Sequence, residues 1–220
     1  MNAPRRGPWW VALALIVSAA LALLAHFALV DRLPARVGAA VSLVPIAVLI
    51  AWMLRRSRRR AVALLVLAAL VAAAAFYWNE IERHFPDLFF VEHAGINLLL
   101  AWVFGRTLLG GREALVTRFA LLVHGTIPPE VERYTRHVTL AWTILFLTLV
   151  ALSCVLYFSG QMAAWSVLAN IVNPIAIVAM FVIEYAVRLR ALPNWEQVGI
   201  LGGVRAFTRH FAAARFEGTR

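Results

Sequence analysis

Residues 138–158 read VTLAWTILFLTLVALSCVLYF, a run with no acidic or basic side chain. A helix needs roughly 20 mainly apolar residues to cross the hydrocarbon of a bilayer, so this stretch selects lipid as its surroundings. Working outward, no helix breaker occurs from Glu130 through Phe158, and Pro128 and Pro129 suit a helix start. The span is therefore expected to extend beyond the membrane, with Arg133, Tyr134, Arg136 and His137 crowning the extension. On its other side a short uncharged turn around Ser159, Gly160 and Gln161 leads into a second apolar run at 163–188. The whole chain agrees with this reading: 220 residues that are 63% hydrophobic and 15% charged cannot hide that much apolar surface in one water-soluble globule.

Extending the count predicts an all-α, polytopic integral membrane bundle with spans at about 9–30, 37–54, 61–78, 87–106, 138–158 and 163–188. These make up a six-helix transmembrane domain over 1–190, followed by a basic cytoplasmic tail at 191–220. The first span opens at Trp9 and Trp10 behind Arg5 and Arg6; it is too long for a signal-peptide core and is expected to be retained. The second contains Pro45 and ends at the arginine-rich run 55–60. The third ends at Tyr77 and Trp78, aromatic residues suited to an interface. Residues 79–86, with Glu80, Glu82, Arg83 and His84, carry no positive excess and read as an external loop. The fourth span starts near Asp87 if about 20 residues are counted back from Arg106, which places Glu92 and His93 inside the bilayer.

All 21 basic residues are arginine, and the net charge is +10. With both termini cytoplasmic, eighteen arginines fall inside and three (Arg32, Arg36 and Arg83) outside, the bias expected of positive-inside topology. Arginines placed this way call for no nucleic acid as partner. Cys154 stands alone within an apolar run, which excludes a disulfide framework and a paired thiolate site. No His-Glu-x-x-His, Gly-x-Ser-x-Gly or Gly-rich phosphate loop is present. His84, Asp87, Glu92 and His93 match no zinc spacing, so neither metal nor cofactor is expected.

Between the fourth and fifth spans, 107–137 reads as a cytoplasmic amphipathic segment. Leu115, Val116, Phe119, Leu122 and Val123 share one helical side, Glu113, Thr117 and Arg118 take the other, and Gly125 stands where the helix would stop. This predicts a helix lying on the inner membrane surface. Arg205 and Arg209, beside Phe207, Phe211 and Phe216, suggest a second interfacial helix in the tail. Two readings fit the inner arginines. They attract anionic lipid headgroups, or Arg112, Arg118, Arg133 and Arg136 form a docking patch for an acidic soluble partner.

His93 and Asn97 lie one turn apart on the fourth span, and Asn170 and Asn173 reach a similar depth on the sixth. Pro174 frees a backbone carbonyl and favours a kink there. Glu92, His93, Asn97, Asn170 and Asn173 are thus candidates for an intramembrane polar pocket, with Asp87 at its mouth. The simpler reading is that they hydrogen-bond helices to one another. Glu184 and Arg188, one turn apart, read as a self-neutralising pair, and the His26 ring as reaching the interface from the first span.

The stretches Phe104-Gly105-Arg106-Thr107-Leu108, Gly111-Arg112-Glu113-Ala114-Leu115, His124-Gly125, Pro128-Pro129-Glu130-Val131 and Tyr134-Thr135-Arg136-His137-Val138-Thr139 carry a resemblance covering most of 85–190. The chain resembles an uncharacterised bacterial inner-membrane family found with aryl polyene or xanthomonadin-type pigment biosynthesis, some members of which are labelled ketosynthase. Ala114 departs from the family's proline. Ketosynthase chemistry does not suit a cysteine placed like Cys154, and enzymatic activity is not expected from these residues. The resemblance implies a multi-pass inner-membrane accessory to a pathway whose intermediates ride on acidic acyl carrier proteins, which would give the arginine patch a partner. The alternative is a membrane-embedded enzyme or lipid-handling protein using the polar pocket.

Overall fold

The computed structural model describes residues 9–30, 32–44, 47, 48, 50, 51, 54 and 60–193. Arg5 and Arg6, Pro45, the arginines of 55–59 and the tail with Arg205, Arg209, Phe207, Phe211 and Phe216 lie outside the described residues. Every described element is helical: α1 (Trp9–Leu29), α2 (Ala35–Ser42), α3 (Arg60–Phe76), α4 (Trp78–Arg83), α5 (Phe85–Gly105), α6 (Leu115–His124), α7 (Pro129–Phe158), α8 (Met162–Val167) and α9 (Asn173–Ala191). A 3-10 turn, Arg106–Leu108, extends α5, and a π-helical segment, Leu168–Val172, joins α8 to α9.

Three stretches among the described residues are long and apolar enough to cross a membrane: Phe85–Leu108, Pro129–Phe158 and Met162–Ala191. At 1.5 Å per residue, the 30-residue α7 is about 45 Å long, well beyond the roughly 30 Å of hydrocarbon, as its uninterrupted sequence implies. The apolar runs described in α1 and α3, Ile16–Leu29 and Leu64–Phe76, are shorter. What the long helices turn outward is apolar: Val91, Trp102, Ile144, Val155, Ile175, Val178 and Val182 are all more than half exposed. Ser153, Ser166, Thr117, Thr139, Asn97 and Asn170 are buried. A water-soluble protein distributes these residue types the other way round, so this pattern belongs to a lipid-facing exterior.

The connection at 79–86 differs from the expected loop. It is largely helical, and its polar side chains pair at helical spacing: Arg83 with Glu80 at 3.3 Å, and His84 with Asp87 at 3.0 Å.

The chain divides into two compact units, Met1–Gly95 with Ser153–Pro174, and Ile96–Leu152 with Ile175–Arg220. In the first, Ala28, Leu29, Ala39, Phe85, Trp165 and Ala169 form the core, with Phe89, Phe90 and Tyr157 packed against it. Gly38 is part of that packing, since a methyl group on it would overlap the buried Phe85 ring. Gly38→Ala is expected to cost about 1–3 kcal/mol through overpacking. Gly95→Ala, where nothing lies within 4 Å of the added carbon, should be neutral or gain up to about 1 kcal/mol of helix propensity. Thermal unfolding of the two variants in detergent tests this contrast, and equal melting temperatures would contradict it.

In the second unit, threonines fasten α6 to α7. The Thr139 and Thr143 hydroxyls donate to the carbonyls of Thr135 and Thr139, each at 2.8 Å, and that of Thr135 donates to Val131 at 2.9 Å. Because its proton is engaged there, Thr135 accepts from the Thr117 hydroxyl at 2.7 Å. Thr139 accepts the Val116 N–H at 3.2 Å, and Thr107 accepts the Leu115 N–H at 3.0 Å, satisfying donors in the first turn of α6. Gly125, at φ 77°, ends that helix in a conformation disfavoured for residues with a Cβ.

These bonds add a packed contact on the polar side of α6. Thr117, read as part of the outward polar side, is buried against Thr135, while Phe119 and Leu122 on the apolar side are about 40% exposed. Hydrophobic periodicity does not register a hydroxyl-to-hydroxyl contact, so the burial of Thr117 has no signal in the pattern, while the apolar side stays exposed as a helix on a membrane surface requires.

Candidate functional site

Polar side chains of the first unit meet around Trp165 and Ser166, adjacent residues of α8 that are both fully buried. The Trp165 indole donates to Ser153 Oγ at 2.8 Å, and His93 Nδ1 lies 3.2 Å from the same oxygen. An indole N–H can only donate, so Ser153 Oγ accepts from Trp165 and shares its remaining hydrogen-bonding capacity with His93 Nδ1. The next residue, Ser166, has its Oγ 2.8 Å from His26 Nδ1, and the Asn170 amide donates to the Ser166 carbonyl at 3.0 Å. His26 therefore bonds to α8, where the sequence placed its ring at the interface. Its partner, 140 residues away in the chain, has no sequence signal.

Of the candidate pocket residues, His93 and Asn170 thus belong to linked hydrogen-bond clusters in the first unit. Glu92 is half-buried there, and Asn173 has a buried Oδ1 with no hydrogen-bond partner. Asn97 is buried in the second unit. Asp87, placed at the pocket mouth by the sequence, accepts the Tyr157 hydroxyl and pairs with His84. Just before Pro174, where the sequence predicts a kink, the chain forms a π-helical turn: proline supplies no N–H to the carbonyl of residue 170, and the helix widens there. The two Ser–His pairs have the spacing of a nucleophile and its base. Both serines are fully buried, and Ser153 already accepts from Trp165, so the pairs act as cross-links between helices. Among the described residues no group of three metal-binding side chains occurs.

The second unit holds a groove of about 440 Å³, within the range of roughly 300–1,000 Å³ typical of ligand sites. Phe104, Trp142, Phe146 and Phe181 form its aromatic wall, and Val116 and Phe119 bring α6 into it. At one end lie Glu184 and Arg188. The Tyr134 hydroxyl donates to the Glu184 carbonyl at 3.0 Å and to its Oε1 at 3.3 Å.

No family model, curated protein or solved structure matches this chain.

All four patch arginines belong to the second unit, and all are exposed. Arg112 precedes α6, Arg118 lies on it, and Arg133 and Arg136 sit on the first turns of α7. Arg136 also has a structural task, donating to the Leu108 carbonyl at 2.8 Å. The sequence reading did not single out the groove, although Tyr134, Val138, Trp142 and Phe146 recur every four residues along one side of α7. That spacing is the signal from which it could be found.

Proposed function

We propose that this chain is a multi-pass inner-membrane accessory protein, with about six spans and cytoplasmic termini, that docks an acidic acyl carrier protein and so organises aryl polyene or lipid-type biosynthesis at the membrane. One observation carries the reading: Arg112, Arg118, Arg133 and Arg136 are all exposed on segments that threonine hydroxyls hold together, so their spacing is set before a partner arrives. Preorganised charge favours fast, specific capture of a complementary surface over diffuse attraction to headgroups. The outward apolar faces of α5, α7 and α9 support the membrane setting.

The test is binding of purified acyl carrier protein to the full chain in nanodiscs of neutral lipid, measured across a salt series. Binding that weakens with salt and is lost when the four arginines become glutamine supports the reading. Salt-insensitive binding, or binding unchanged in the variant, would sink it.

A further inference from the structure

We infer that the groove of the second unit is a binding site for a long-chain monocarboxylate of the fatty-acid type, with its chain along the aromatic wall and its carboxylate on Arg188. The inference is independent of the carrier-protein reading, because none of the four patch arginines lines the groove.

Arg188 is where the ligand is read. Its Nε is buried and has no hydrogen-bond partner. Glu184 is the nearest acid, but its Oε1 stands 3.6 Å from that nitrogen, outside the 2.7–3.2 Å range of an N–H···O bond. The same oxygen is engaged by the Tyr134 hydroxyl, which holds the Glu184 side chain in place. Beyond this long ion pair and a contact with the Tyr185 ring, the guanidinium has donors to spare, and it lines the end of an otherwise apolar groove, where a ligand can supply an acceptor. Its planar fork suits a carboxylate bound through two parallel hydrogen bonds.

The neighbouring Glu184 narrows the choice of anion. A dianionic phosphomonoester would crowd against the Glu184 carboxylate, whereas a monoanion shares the cation with it at lower cost; monoanionic phosphodiester headgroups are separated from a carboxylate by the phosphatidylglycerol competition below. The apolar part is narrowed by shape. Ile177 and Arg188 both line the groove and are 11 residues apart on α9, about 16 Å of helix rise, so the site is elongated with its polar group at one end. An amphiphile with one chain and one small acidic head matches that layout.

The experiment uses the full chain in phosphatidylcholine nanodiscs with cis-parinaric acid, a conjugated fatty acid that accepts energy from tryptophan, and Trp142 lies in the groove wall. The wild-type protein is expected to bind the acid at least 10-fold more tightly than the parinaric methyl ester, a preference of about 1.4 kcal/mol. Arg188→Gln should abolish the preference and leave ester binding unchanged; Arg188→Lys should keep part of it. Glutamine at 112, 118 and 133 should leave it intact, separating failure here from failure of the docking patch. Equal affinity for acid and ester in the wild-type protein, a comparison that needs no variant to fold, overturns the inference. So does displacement of the probe by phosphatidylglycerol as effective as by palmitic acid, which would assign the groove to a membrane lipid.

Discussion

Trp165→Ala is expected to be the most destabilising single substitution in the first unit, lowering the unfolding free energy by about 3–5 kcal/mol. The side chain is fully buried and meets Phe89, Phe90, Tyr157 and His93 in tilted or edge-on ring contacts. Alanine would leave a cavity among these rings and remove the donor to Ser153 at the same time. Trp165→Phe separates the two effects. It keeps most of the volume and should cost about 1–3 kcal/mol for the polar contact left unmade. Heating the protein in detergent and following the folded fraction by size-exclusion chromatography should show a midpoint drop on the order of 10 °C for the alanine variant. A drop of the same size for both variants would locate the stability in the indole N–H; no drop in either would show that this core contributes little.

Replacing Arg112, Arg118, Arg133 and Arg136 together by glutamine is expected to weaken carrier-protein binding about 100-fold, because four exposed charges each contribute less than a factor of ten. Arg136 needs a control, since its loss also frees the Leu108 carbonyl. The triple variant that keeps Arg136 should retain the melting temperature of the wild-type protein and still lose most of the affinity. If only the fourfold variant lost binding, and lost stability with it, the effect would come from the fold instead of the docking charge. In the wild-type complex, raising salt from low to physiological strength should slow association far more than it speeds dissociation.

Sequence reading went furthest where a property repeats along one helix. The uninterrupted run from Glu130 to Phe158, the proline start and the stop at Gly125 are local signals, and α6 ends and α7 begins and ends accordingly. The apolar lengths of α5, α7 and the α8–α9 stretch could likewise be counted from the chain. It failed where a contact joins distant residues or depends on a hydroxyl. Thr117 and Thr135 are 18 residues apart, and His93 and Ser153 are 60 apart. Serine and threonine are neutral in any hydrophobicity pattern, yet here they decide which side of α6 is packed and which atom His93 faces. Glu184 and Arg188 were read correctly as a pair one turn apart, but their place at the end of an aromatic groove depends on residues from α5, α6 and α7.

The threonine fastening also sets an order of events during synthesis. The Thr107–Leu115 bond spans 8 residues and forms as soon as α6 leaves the ribosome, whereas Thr117 must wait for Thr135 and Val116 for Thr139, 18 and 23 residues later. Until the start of α7 emerges, α6 is tethered at one end only, and the bilayer surface is the apolar phase on offer to Leu115, Val116 and Leu122. The expected consequence is a halt of the nascent chain at the membrane between its spans, ended by the arrival of two hydroxyl groups.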